Sequence, residues 1–110
     1  MKRAYAGAIA RGLEKLVDPG TIAGLSEPQV LARFVERGDP VAFESIVVRY
    51  GPMVLGVCRE MLRDPNDVDD AFQATFVILI EKAGSLKQPD RLGPWLYGVA
   101  HRVEIGRAHV

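Results

Sequence analysis

The segment DPNDVDDAFQATFVILIEKAG, Asp64 to Gly84, reads as one helix with two different sides. Proline biases the residue before it away from the helical region, so no earlier helix runs through Asp64-Pro65. Asn66 or Asp67 is then placed to accept the first free amide hydrogens as an N-cap. Gly84 is the expected stop. Placed on a helical wheel, Val68, Phe72, Thr75, Phe76, Leu79 and Ala83 fall on one side and form a core stripe. Asp70, Gln73, Ala74, Val77 and Glu81 fall opposite, with Ile80 on their flank. A side that mixes acid, amide and aliphatic groups has the composition of a docking surface. The acidic run also has a plainer reading. Asp64, Asp67, Asp69 and Asp70, with no basic residue among them, complement the positive end of the helix, for about 0.3 to 1 kcal/mol each. That reading leaves Gln73, Val77 and Ile80 unexplained.

Outward from this segment the chain reads as further helices. Met53 to Arg63 precedes it across a short turn, so the two pack as an antiparallel hairpin. Gly51-Pro52 lies just before; an internal proline costs about 3 kcal/mol, so propensity alone breaks the helix there. Upstream, Ser26 with Gln29 makes a capping box, Pro28 sits in the first turn, and Val30, Leu31, Phe34 and Val35 supply an apolar side. Gly38 ends that helix. Asp39-Pro40 opens the next, whose stripe is Phe43, Ile46, Val47 and Tyr50. Residues 4–17 carry Tyr5, Ile9, Leu13, Leu16 and Val17 at helical spacing. They form, with the connection Thr21 to Gly24, an N-terminal extension over residues 1–24. Downstream, Ser85 to Gly93 is a polar loop. Pro94 suits a first helical position, followed by an apolar face of Trp95, Leu96, Val99, Ala100 and Val103, with Tyr97, His101 and Arg102 to the other side.

Three pieces carry a resemblance: GDPVAFESIVVRYGPMVLGVCREML, then DPNDVDDAFQATFVILIEKA, then LGPWLYGVAHRV. Together they resemble region two of a bacterial sigma factor of the extracytoplasmic-function type, over about residues 25–103. DAFQATF with GPWLYGVA is far more specific than either alone. The resemblance implies an all-α fold, a small helical bundle in which Pro52 kinks one long helix. It implies a hairpin that docks on the clamp coiled coil of the largest subunit of core RNA polymerase. Carried over by position, Asp70 and Gln73 resemble the polar contacts to polymerase, with Asp67 and Val77 as neighbours. Ser85 to Leu92 resembles the loop that captures a base flipped from the promoter just upstream of the start site. The helix after it resembles the element that holds the separated strand. Ser85, Lys87, Arg91, Trp95, Tyr97, His101 and Arg102 are the DNA-facing candidates. An anti-sigma factor is a further partner that the resemblance admits. A full-length member continues its last helix and carries a second helical domain with a helix-turn-helix. A chain of region two alone is expected to dock on polymerase yet initiate poorly or not at all.

Composition sets the bounds. The chain has 110 residues, 48% apolar and 25% charged, enough for one domain with one core. Lysine plus arginine equals aspartate plus glutamate at 14 each. Strong DNA binding by the isolated chain is therefore not expected, while DNA contact within a larger assembly is. The single Cys58 forms no internal disulfide and reads as a small buried hydrophobe in a cytoplasmic protein. No apolar run approaches the roughly 20 residues that span a bilayer, and Arg11, Glu14 and Lys15 interrupt any secretory signal, so no membrane association is expected. The last seven residues, EIGRAHV, are what one frame of a sequencing-library adapter encodes. They are expected to be non-native, with the native sequence departing at about Val103.

Enzymatic chemistry is not expected. There is no glycine-rich phosphate loop, no paired-cysteine pattern and no HExxH, and the aspartate run lacks the spacing and glycine of a calcium loop, so neither metal nor cofactor is predicted. His101 beside Arg102 reads as a surface or interface group. Lys87, Arg91 and Arg102 suit phosphates; Trp95 and Tyr97 offer rings on which an unstacked base can lie. The spacing of Trp95 with Leu96 and Val99 equally suits a packed stripe. Two functions stay open: a transcription-initiation subunit, and a helical protein-interaction module, an adaptor or anti-sigma-like partner without DNA binding. DNA-strand binding that appears only with polymerase separates them.

Overall fold

Ser26 starts the first helix by reciprocal capping: the Gln29 amide donates to its Oγ at 3.3 Å, and its own amide donates to Gln29 Oε1 at 2.8 Å. The computed structural model describes Ile9 and residues 25–86 and 89–108, with the main chain alone for Pro89 and residues 104–108. Helix α1 spans Glu27–Arg37 and ends at Gly38, whose φ of 62° is left-handed and whose amide donates to the Phe34 carbonyl. Asp39 accepts from the Val41 amide at 2.9 Å and opens helix α2, Pro40–Met61, with Pro40 in its first turn.

Helix α2 is continuous through Gly51-Pro52, so the break that propensity favours does not occur. The reason is burial on both sides of the proline. Pro52 itself is exposed, while Ile46, Val47, Val48, Val54, Val57 and Cys58 are buried. Each such aliphatic side chain contributes about 1.5 to 3 kcal/mol, which together outweigh the loss of one helical hydrogen bond. Cys58 is fully buried, as a small hydrophobe is expected to be.

Helix α3, Pro65–Lys82, is capped one step earlier than the sequence suggests. Asp64, not Asn66 or Asp67, is the N-cap, accepting from the Asn66 amide at 2.8 Å. Pro65 explains this, because it holds Asp64 in the extended conformation that an N-cap needs and itself takes the first helical position. Nor does Gly84 stop the helix. The chain tightens into a 3-10 turn, Ala83–Ser85, where the Ser85 hydroxyl donates to the Lys82 carbonyl at 2.8 Å. A second 3-10 turn, Pro89–Arg91, leads into helix α4, Leu92–Ala108, which begins two residues before Pro94. Its main chain runs on through Val103, so residues 104–108 continue the helix.

Among the described residues there are four α-helices and no strand. Helix α2 packs against each of the other three, and α3 packs against α4. By length and composition alone α2 is long and apolar enough to cross a membrane, a test that the core helix of a bundle also passes. Here its apolar faces are covered by protein, as in the central helix of a bundle.

All four phenylalanines form one chain through the core. Phe34 of α1 meets Phe43 of α2 at 5.0 Å, Phe43 meets Phe76 of α3 edge-on at 6.3 Å, and Phe76 meets Phe72 at 5.1 Å. Ile9 is buried in the same core. The helix expected over residues 4–17 otherwise lies outside the described residues, as does the connection Thr21 to Gly24. Val35, expected on the apolar side of α1, is instead exposed, beside Gly84 at the end of α3. Arg49 of α2 pairs with Glu27 of α1 at 3.0 Å. Burial, and then a hydrogen bond to Glu27, push the Tyr50 hydroxyl above its ordinary range. The Tyr50 ring also lies against Gly93, where a built Cβ would stand 3.1 Å from its Cε1. Three helices therefore meet at Tyr50.

Candidate functional site

Helix α3 divides into two sides as its periodicity requires. Phe72, Thr75, Phe76 and Leu79 are fully buried, and Val68 and Ala83 nearly so. The Thr75 hydroxyl, buried with them, donates to the Ala71 carbonyl at 2.8 Å and is thereby satisfied. On the other side Asp70, Gln73 and Glu81 are exposed, while Asp67, Ala74, Val77 and Ile80 are half-buried. Val77 and Ile80 rest their inner edges on the core and leave the rest of their apolar surface outside it. The helix dipole accounts for only part of the acidic run. Asp64 is the cap and Asp67 lies in the first turn, but Asp70 lies in the second turn, where the dipole has largely faded. Asp67, Asp70, Gln73 and Val77 thus share the outward side of α3.

The second group of candidates follows α3 in sequence. Ser85 is exposed, and its hydroxyl proton is committed to closing α3. Arg91 is exposed at the start of α4. Lys87 lies outside the described residues. Along α4, Leu92, Leu96, Val99 and Ala100 are buried, which fixes the opposite side outward. Trp95 sits at the boundary, half-buried and packed against the core, as its spacing with Leu96 and Val99 suits. Tyr97 is 49% exposed. Its hydroxyl lies 3.2 Å from His101 Nε2, and the two rings are 5.0 Å apart at 56°. Arg102 is exposed and its guanidinium lies over Gly98, 3.5 Å from where a Cβ would be.

Three features escaped the sequence reading. Leu92, placed there in the loop, is a fully buried anchor of α4. Glu44, inside an apolar run, is buried although charged. At the hairpin tip an open groove of about 770 Å³ is lined by Leu55, Arg59, Leu62 and Arg63 of the first arm and Val68 and Asp69 of the second. Helical spacing places residues on a face but does not say which faces meet. Among the described residues no group of three His, Cys, Asp or Glu side chains could hold a metal.

Residues 46–107, from α2 through most of α4, match the family model Sigma-70 region 2. The chain belongs to the sigma-70 region 2 family. This region 2 chain is 29% identical over 87 residues to RNA polymerase sigma-H factor of Pseudomonas aeruginosa, covering 74% of the chain and 45% of that protein. It is 36% identical over 63 residues to RNA polymerase sigma factor CarQ of Myxococcus xanthus, covering 57% of the chain and 36% of that protein. The chain therefore spans less than half the length of these curated relatives. No solved structure matches it significantly. The matched region takes in both the outer side of α3 and the exposed side of α4, so both candidate surfaces lie within the part that sigma region 2 proteins share. Sigma factors are not a class of enzymes.

Proposed function

We propose that this chain is the polymerase-docking and strand-opening portion of a transcription-initiation sigma factor, acting in the cytoplasm. The observation that carries the reading is the division of α3. Its aromatic side is fully buried, so Asp70 and Gln73 are held outward on a helix that cannot turn without breaking the core. Asp70 and Gln73, with Asp67 and Val77, would meet the clamp coiled coil of the largest polymerase subunit, polar groups setting register around an apolar centre. Following them, Ser85, Lys87, Arg91, Trp95, Tyr97, His101 and Arg102 would face the promoter strand just upstream of the start site. Opening duplex DNA costs a few kcal/mol per extruded base, returned by stacking and hydrogen bonds in the bound state. A chain with balanced charge has little grip on DNA alone, so polymerase would supply most of the electrostatic attraction.

The test is crosslinking of the chain to a promoter-length duplex with and without core RNA polymerase. Crosslinks to the strand upstream of the start site that appear only with polymerase support the reading. Binding of polymerase without any DNA crosslink instead assigns the chain to the protein-interaction class.

A further inference from the structure

Tyr97 and His101 stand one helical turn apart on the outward side of α4, and their side chains meet there. A tyrosine 49% exposed on a helix ordinarily samples several rotamers, and fixing one of them on binding costs free energy. Here the phenol is tied down already: its hydroxyl is 3.2 Å from His101 Nε2 and its ring leans on the imidazole at 5.0 Å. Either the hydroxyl donates to the ring nitrogen or the nitrogen, when it carries the proton, donates to the hydroxyl, so the tie holds in both tautomers. His101 is half-buried while Tyr97 is 49% exposed, so the imidazole is the more enclosed of the two. Beside this pair Gly98 carries no side chain, and the Arg102 guanidinium lies 3.5 Å from where its Cβ would be.

We propose that His101 is a positioning residue, holding the Tyr97 ring in the orientation in which it stacks on an unpaired base of single-stranded DNA. This rests on the reading that the exposed side of α4 meets a separated promoter strand. Acting through Tyr97, His101 makes no contact with the base and matters only while the phenol hydroxyl is present.

The test is a double-mutant cycle on the full chain bound to core RNA polymerase, reading affinity for a fluorescein-labelled single-stranded DNA pool of random sequence. Tyr97→Ala should weaken binding most. Tyr97→Phe and His101→Ala should each weaken it roughly 2- to 10-fold, the range for one lost hydrogen bond. Their combination should be no weaker than the single changes. His101→Gln, whose amide reaches the same hydroxyl, should bind as wild type, and thermal unfolding midpoints should stay unchanged for all five variants. Additive losses, or a His101→Gln that falls with His101→Ala, would overturn the proposal while leaving Tyr97 as a DNA contact. If Tyr97→Ala binds as well as wild type, the reading of α4 as a strand-binding face fails, and the positioning role fails with it.

Discussion

Gly56 and Gly93 are both helical glycines, yet their surroundings predict opposite responses to a methyl group. A Cβ on Gly56 meets nothing within 4 Å, so Gly56→Ala should raise stability by about 0.5 to 1 kcal/mol in urea unfolding, the helix-propensity gain alone. A Cβ on Gly93 presses on the Tyr50 ring at 3.1 Å; Gly93→Ala should therefore leave stability at or below wild type in the same assay. Tyr50 also predicts an alkaline signature. Its folded-state pKa is raised, so its contribution is complete below the ordinary tyrosine value of about 10 and is lost as pH rises through the higher folded value. Tyr50→Phe should accordingly lose less stability than wild type as pH increases above about 10, measured by unfolding across that range. The sequence places Tyr50 on the apolar stripe of α2. Its approach to Glu27 and Gly93 was not legible, because they belong to other helices and periodicity reports only one helix at a time.

Helix α3 separates stability from docking along its own length. Asp64→Ala removes the N-cap and should cost about 1 kcal/mol in unfolding while leaving polymerase retention intact. Changes at the exposed Asp70 and Gln73 should do the reverse. The core stripe of this helix was legible because Val68, Phe72, Thr75, Phe76 and Leu79 repeat at the helical period, and each is buried as that repeat requires. Its ends were not. Pro65 moved the cap back to Asp64, and Ala83 to Ser85 tightened into a 3-10 turn that glycine counting does not foresee. Helix α2 shows the opposite lesson: local propensity at Pro52 was read correctly as a cost, but burial on both sides of it decides the outcome.

For the whole molecule the four phenylalanines are the connection between helices, and Phe76 touches both Phe43 and Phe72. Phe76→Ala should cost about 3 to 5 kcal/mol, a large part of the 5 to 15 kcal/mol that holds a typical domain, and should appear as a broad loss of cooperative thermal unfolding. That these rings form the core was legible; that Leu92 joins them, and that Val35 does not, depended on how helices meet. The outer side of α3 exists only because this core fixes it. The most direct measurement is therefore the affinity of core RNA polymerase for the chain with Asp70→Ala and Gln73→Ala together, alongside wild type and Asp64→Ala. Binding weakened roughly tenfold or more in the double variant, with its unfolding midpoint unchanged and Asp64→Ala still bound, is the predicted result. Equal binding by the double variant and wild type would contradict it.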